Sequence, residues 1–157
     1  IANAAAQLGF KTEFYTRALE PNPDVWELEF IKETTEGFEA NKKKLNNLRK
    51  EAISHGVKLQ EQSLSLNQIL QKLKDGWIPI ALLDWSKIDT KITKAHFHFV
   101  PIVGYDENHI YVHTEFNTGT QESRKIESRP FFQISKDIFE QARKSFGTDE
   151  DIVFIYS

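Results

Sequence analysis

Cysteine is absent from the 157 residues. Disulfides, thiolate metal sites and a thiol nucleophile within these residues are therefore excluded. Compartment stays open, because cytosolic and exported proteins alike can lack cysteine. Methionine is absent too, even at position 1, where isoleucine stands; the sequence reads as a processed chain or a fragment. Glycine and proline are sparse, at 7 and 5 residues, so collagenous and low-complexity classes fall away. The longest apolar run, Trp77-Ile-Pro-Ile-Ala-Leu-Leu83, is far short of the ~20 residues that span a bilayer. Nor is one charge in excess: 20 Lys and Arg meet 23 Asp and Glu. The pI is about 6.0, which excludes a general nucleic-acid binder.

What remains is ordinary globular composition. At 18.2 kDa the chain has the length of one domain with one sizeable core, and no internal repeat or linker divides residues 1–157. Twelve phenylalanines point to a Phe-rich core. Residues 1–8 are strong helix formers stopped by Gly9; they lack the basic flank of a signal peptide and resemble the tail of a longer helix. Residues 10–16 alternate apolar and polar side chains, as a strand does. A Pro21-Asn-Pro-Asp24 turn leads into helical pattern over 25–54, which Gly37 divides in two. This stretch carries Lys42, Lys43, Lys44, Arg49 and Lys50, a solvated face or an anion-binding one.

Residues 57–60 suit a short strand. Over 63–76, Ser63 or Ser65 can cap a helix whose stripe is Leu66, Ile69, Leu70 and Leu73, ended by Gly76. A buried strand is expected over 77–83 and a polar loop over 86–95. Strands 96–105 and 109–113 are joined by a hairpin at Asp106-Glu-Asn108. Ser135 can cap a helix to Phe146, and residues 152–156 form an apolar strand. Helices thus precede strands, which implies an α+β fold with helices packed on a mainly antiparallel sheet of about five strands.

The densest chemistry lies at His96-Phe-His98. Strand alternation puts His96, His98, Val100 and Ile102 on one face. Two histidines spaced this way can serve as a metal pair, as a catalytic base with a neighbour, or as ordinary strand-end residues. A metal would need a further ligand; His113, Glu115 and Asp84 are candidates without a spacing signature, so no metal and no cofactor is expected. A hairpin turn at Glu107-Asn108 brings His98 near residues 114–117. A histidine held by a polar side chain of the next strand is half of a nucleophilic triad. Asp84 and Trp85 could line a cleft beside it, with His96 and His113.

The run His98-Phe-Val-Pro-Ile-Val-Gly-Tyr-Asp-Glu-Asn-His-Ile-Tyr-Val-His113, preceded by residues 77–83 and followed by Phe132-Gln-Ile-Ser-Lys-Asp-Ile-Phe139, resembles papain-like cysteine peptidases. The likeness is to those related to the bacteriocin-leader-processing peptidases, the C-thirty-nine-like type. It extends over most of the chain and implies a papain-like layout in which His98 is the general base. The family's cysteine would precede Ile1. Thr114 stands where the family has aspartate and would accept a hydrogen bond from His98 without bringing a charge; Glu115, His113 or Asn117 would orient His98 in its stead after a small register shift. The implied function is thiolate hydrolysis of peptide bonds. The alternative is a catalytically inactive relative that binds a peptide or protein partner in the same cleft.

Overall fold

The computed structural model describes residues 1–28, 31, 37–117 and 126–157. Among them are four helices, α1 (Ala2–Gln7), α2 (Phe38–Ser54), α3 (Leu66–Lys74) and α4 (Lys136–Arg143). The strands are β1 (Lys11–Thr16), β2 (Lys58–Glu61), β3 (Ile78–Asp84), β4 (Phe97–Tyr105), β5 (His109–Asn117), β6 (Ile126–Ser135) and β7 (Ile152–Tyr156). They form one sheet in the order β2-β1-β7-β3-β4-β5-β6. Only the β1–β2 pair is parallel among the pairings observed. The class is α+β, as expected, but the sheet has seven strands rather than about five. The strand with no counterpart among the segments read from sequence is β6, whose sequence Ile-Glu-Ser-Arg-Pro-Phe-Phe-Gln-Ile-Ser breaks alternation with a proline and a bulge. The β5–β6 register shifts between Val112 and Thr114, and Phe131 takes a φ of 56°.

Local signals act where the sequence places them. Ser65 caps α3: its hydroxyl accepts from the Gln68 amide at 3.3 Å, and the Gln68 side chain accepts from the Ser65 amide at 2.8 Å, a reciprocal box that satisfies orphan helix donors. The Ser135 hydroxyl accepts from the Ile138 amide at the start of α4. At the hairpin, the Asp106 carboxylate accepts from the Asn108 and His109 amides at 2.8 and 2.7 Å, an Asx turn. Within the helical pattern expected over 25–54, Pro23–Glu27 is a 3-10 turn capped by Asn22, and the division at Gly37 holds, with α2 starting directly after it. Residues 29, 30 and 32–36 lie outside the described residues.

The sheet has two covered faces. On one, Ala81, Leu83, Val100, Ile102, Ile152 and Phe154 pack with Ile69 and Leu70 of α3 and Phe139 and Ala142 of α4. Each buried Leu, Ile, Val or Phe side chain here contributes ~1.5–3 kcal/mol. The core is built mainly of Ile, Leu and Val; among the described residues only two phenylalanines, Phe139 and Phe154, are buried in it. On the other face, α1 lies against β1, β7 and α2. His98 shares the face of Val100 by alternation, opposite to that of α1. No helix among the described residues is long and apolar enough to cross a membrane.

Candidate active site

A cavity of about 320 Å3 opens between the sheet and the α1–α2 layer. Its apolar walls include Phe14, Leu45, Leu48, Val57, Phe99 and Val153. Polar groups converge on it from three elements: Thr16 from β1, Arg49 from α2, and Asp149 and Asp151 from the turn into β7. A concave, mainly apolar space of this size with a few converging polar groups is the usual form of a small-molecule site.

The turn is built to present those aspartates. Asp149 and Glu150 both adopt left-handed backbone, with φ of 47° and 55°, a conformation that is costly for residues other than glycine. Three contacts hold it. The buried Thr148 hydroxyl donates to the carbonyls of Arg143 and Ser145. Arg143, fully buried in α4, donates from Nη1 to Glu150 at 2.9 Å. The Asp149 carbonyl accepts from the Arg17 amide at 2.7 Å, and its carboxylate pairs with the Arg17 guanidinium at 3.0 Å. Gly147 begins the turn at a φ of +95°, and a Cβ there would stand 2.6 Å from the Phe97 ring. No other residue fits both demands.

Burial pushes the Asp151 carboxyl up to about 7. The Thr16 hydroxyl pulls it down, the Asp149 charge pushes it further up, and Arg49 opposes that. Its Oδ1 is buried and makes no hydrogen bond among the described residues. A strongly shifted group in a cleft, with named charges acting on it, marks a functional candidate.

The residues singled out from sequence lie elsewhere. His98, half-buried, meets Trp85 edge to face at 5.8 Å, and Leu83 faces it across the β3–β4 pair. Burial pulls its pKa down, His96 adds to that, and Glu115 opposes both. The hairpin register holds at Tyr105–Ile110 and Gly104–Tyr111, then shifts to Ile102–Val112. Thr114 therefore shares the face of Val100 and His98, and its buried Oγ1 has no hydrogen-bond partner among the described residues. Alternation places His113 and Glu115 on the other face of β5; His113 meets Phe131 at 5.0 Å. The Asn117 side chain lies outside the described residues.

Asp84 is a structural hub. Its carboxylate accepts from the Ser86 amide and hydroxyl, the His96 amide and the Ser145 hydroxyl, the last at 2.7 Å. Among the described residues no group of three or more His, Asp or Glu could hold a metal ion.

The sequence model of the guanylylate cyclase family matches residues 2–155. The chain belongs to that family. Guanylyl cyclase 1 of Arabidopsis thaliana is 33% identical over 156 residues, covering 90% of this chain and 53% of that protein. The chain thus spans about half the length of this curated relative. No solved structure matches.

Membership of the guanylylate cyclase family corrects the peptidase assignment in both forms, active and inactive. The likeness rested on a Gly-Tyr-Asp hairpin and an apolar strand, and these are features of sheet construction: Asp106 spends its carboxylate on the turn amides and on the Tyr111 hydroxyl. Expected roles as hydrolase and peptide binder fall with the assignment. Sequence reasoning passed over Asp149, Asp151 and Thr16, and took Arg49 as one of a basic set that was either solvated or anion-binding. The signal available was Gly147-Thr-Asp-Glu-Asp151, two aspartates at i, i+2 immediately before an apolar strand. Of the basic residues on α2, Lys43, Lys44 and Lys50 are exposed, whereas Arg49 reaches the cavity.

Proposed function

We propose that this chain binds a guanine nucleotide in the α1–α2 cavity and supports guanylyl cyclase chemistry, the conversion of GTP to cyclic GMP and pyrophosphate. In that reaction the 3′ oxygen loses its proton and bonds to the α-phosphorus, while the bond from that phosphorus to the bridging oxygen of the β-phosphate breaks. The demands on a protein are a seat for the base, cations for the phosphates and an acceptor for one proton.

The observation that carries this reading is the make-up of the cavity: apolar walls for a purine, carboxylates at Asp149 and Asp151, and a guanidinium at Arg49. Guanidinium groups match phosphate geometry better than ammonium groups do. Asp149 is itself paired with a second guanidinium, that of the half-exposed Arg17. His98, Thr114 and Trp85 lie across the sheet, Asp84 is not among the lining residues, and none of the four has a part in binding under this reading.

The test is direct. This chain, incubated with GTP as its magnesium complex, is expected to produce cyclic GMP detectable by mass spectrometry, and ATP is not expected to yield cyclic AMP. Arg49→Ala is expected to weaken GTP binding about tenfold, a loss of ~1.4 kcal/mol. Failure of the unaltered chain to bind GTP would overturn the proposal.

A further inference from the structure

We propose that Asp151 is the specificity-determining residue of the cavity, its carboxylate accepting hydrogen bonds from the N1–H and the 2-amino group of a guanine base; this inference rests on the nucleotide reading above. The argument begins with an orphan. Asp151 lines the cavity, and its buried Oδ1 has no hydrogen-bond partner among the described residues. A buried acceptor left unpaired costs ~1–3 kcal/mol, so a ligand that donates to it recovers that deficit on binding.

The backbone that carries this side chain is also fixed in place. The Asp151 amide donates to the Thr148 carbonyl at 3.0 Å, and its carbonyl accepts from the Leu82 amide at 2.9 Å. The backbone is thereby tied to the Thr148 turn on one side and to β3 on the other. Around the carboxylate the walls are apolar and partly aromatic, with Phe14, Phe99 and Val153 available to the faces of a planar ring. Thr16 and Asp149 stand beside it, and Arg49 supplies the opposite charge from α2.

A carboxylate offers two acceptor oxygens and, when ionised, no donor. Among nucleobases, guanine presents two adjacent donors on one edge, N1–H and the exocyclic amine. Adenine presents an unprotonated N1 at the matching place, which meets a carboxylate as acceptor against acceptor. A single Asp with a buried acceptor therefore selects guanine and rejects adenine by leaving polar groups unpaired, a stronger basis for discrimination than shape alone.

The experiment is a calorimetric titration of this chain, unaltered and as Asp151→Asn, with the magnesium complexes of GTP, ITP, XTP and ATP. The unaltered chain is expected to bind GTP about tenfold more tightly than ITP, which lacks the 2-amino group, and ATP more weakly still. Asn keeps an acceptor for N1–H but turns a donor toward position 2, so Asp151→Asn is expected to lose about tenfold for GTP and to prefer XTP, whose C2 carbonyl accepts. Circular dichroism checks that the variant is folded; should it fail to fold, the order of GTP, ITP and ATP on the unaltered chain decides. Equal binding of GTP and ATP, or an unchanged GTP preference in folded Asp151→Asn, would overturn the assignment while leaving nucleotide binding intact. No GTP binding by the unaltered chain would overturn the nucleotide reading and this inference together.

Discussion

Asp151 and Asp84 are both carboxylates at ends of strands, and their surroundings drive them in opposite directions. Burial raises the Asp151 pKa to about 7 because too little offsets it. The folded form thus holds a proton that the unfolded chain has released above about pH 4. Stability from this group is complete below that point and declines as pH rises toward 7. Asp151→Asn is accordingly expected to flatten the pH dependence of urea unfolding between pH 4 and 7, and to gain up to about 3 kcal/mol over the unaltered chain at pH 8. A variant whose stability follows the same pH curve as the unaltered chain would contradict this. At Asp84 burial also raises the pKa, but hydrogen bonds from Ser145, Ser86 and the His96 amide outweigh it and leave the group below its ordinary value. Its contribution is full above that ordinary value and is lost on acidification below it. Asp84→Ala strands four donors and is expected to cost about 3 kcal/mol in chemical denaturation at neutral pH.

At the scale of elements, α4 serves the cavity without touching it. Arg143 in its last turn is fully buried and bonds Glu140 from Nε at 2.8 Å and Glu150 from Nη1 at 2.9 Å. It therefore ties a helix on one face of the sheet to the turn that delivers Asp149 and Asp151 to the other. Removing one partner of a buried ion pair is far more damaging than replacing the whole pair. Arg143→Ala is expected to lower unfolding stability by about 3–5 kcal/mol, measured by urea denaturation. A loss below ~1 kcal/mol would mean that the left-handed turn holds itself.

At the scale of the whole molecule, the sheet divides the chemistry. His98, Trp85 and Thr114 belong to the face packed by α3 and α4, whereas Phe14, Phe99, Val153 and Asp151 face α1 and α2. A ligand in the cavity binds only the folded chain, so GTP at 100 times its Kd should stabilise the protein by about 2.7 kcal/mol. Hydrogen exchange with GTP present is expected to slow in α1, β1, α2 and the turn before β7, with the β5–β6 hairpin unchanged. Protection centred on the β4–β5 hairpin instead would move the site to the His98 face.

The sequence by itself determined what depends on neighbours a few residues apart. Ser65 and Ser135 announce helix starts, Gly9 and Gly76 announce ends, and Asp106 announces the hairpin, because caps and turns are satisfied by backbone groups within three or four positions. Alternation and apolar runs gave most of the strands and hence the α+β class. Only the tertiary structure decided which of the polar residues meet. His96 and His98 are conspicuous by standing two residues apart, yet the nearby Asp84 carboxylate is consumed by structural hydrogen bonds, one of them from the His96 amide. Asp151, Thr16 and Arg49 come from distant stretches of the chain and converge only when β7 inserts between β1 and β3. The strain at Asp149 and Glu150 is equally invisible in sequence, since it exists because Arg143 and Arg17 hold a backbone conformation that acidic residues do not choose alone.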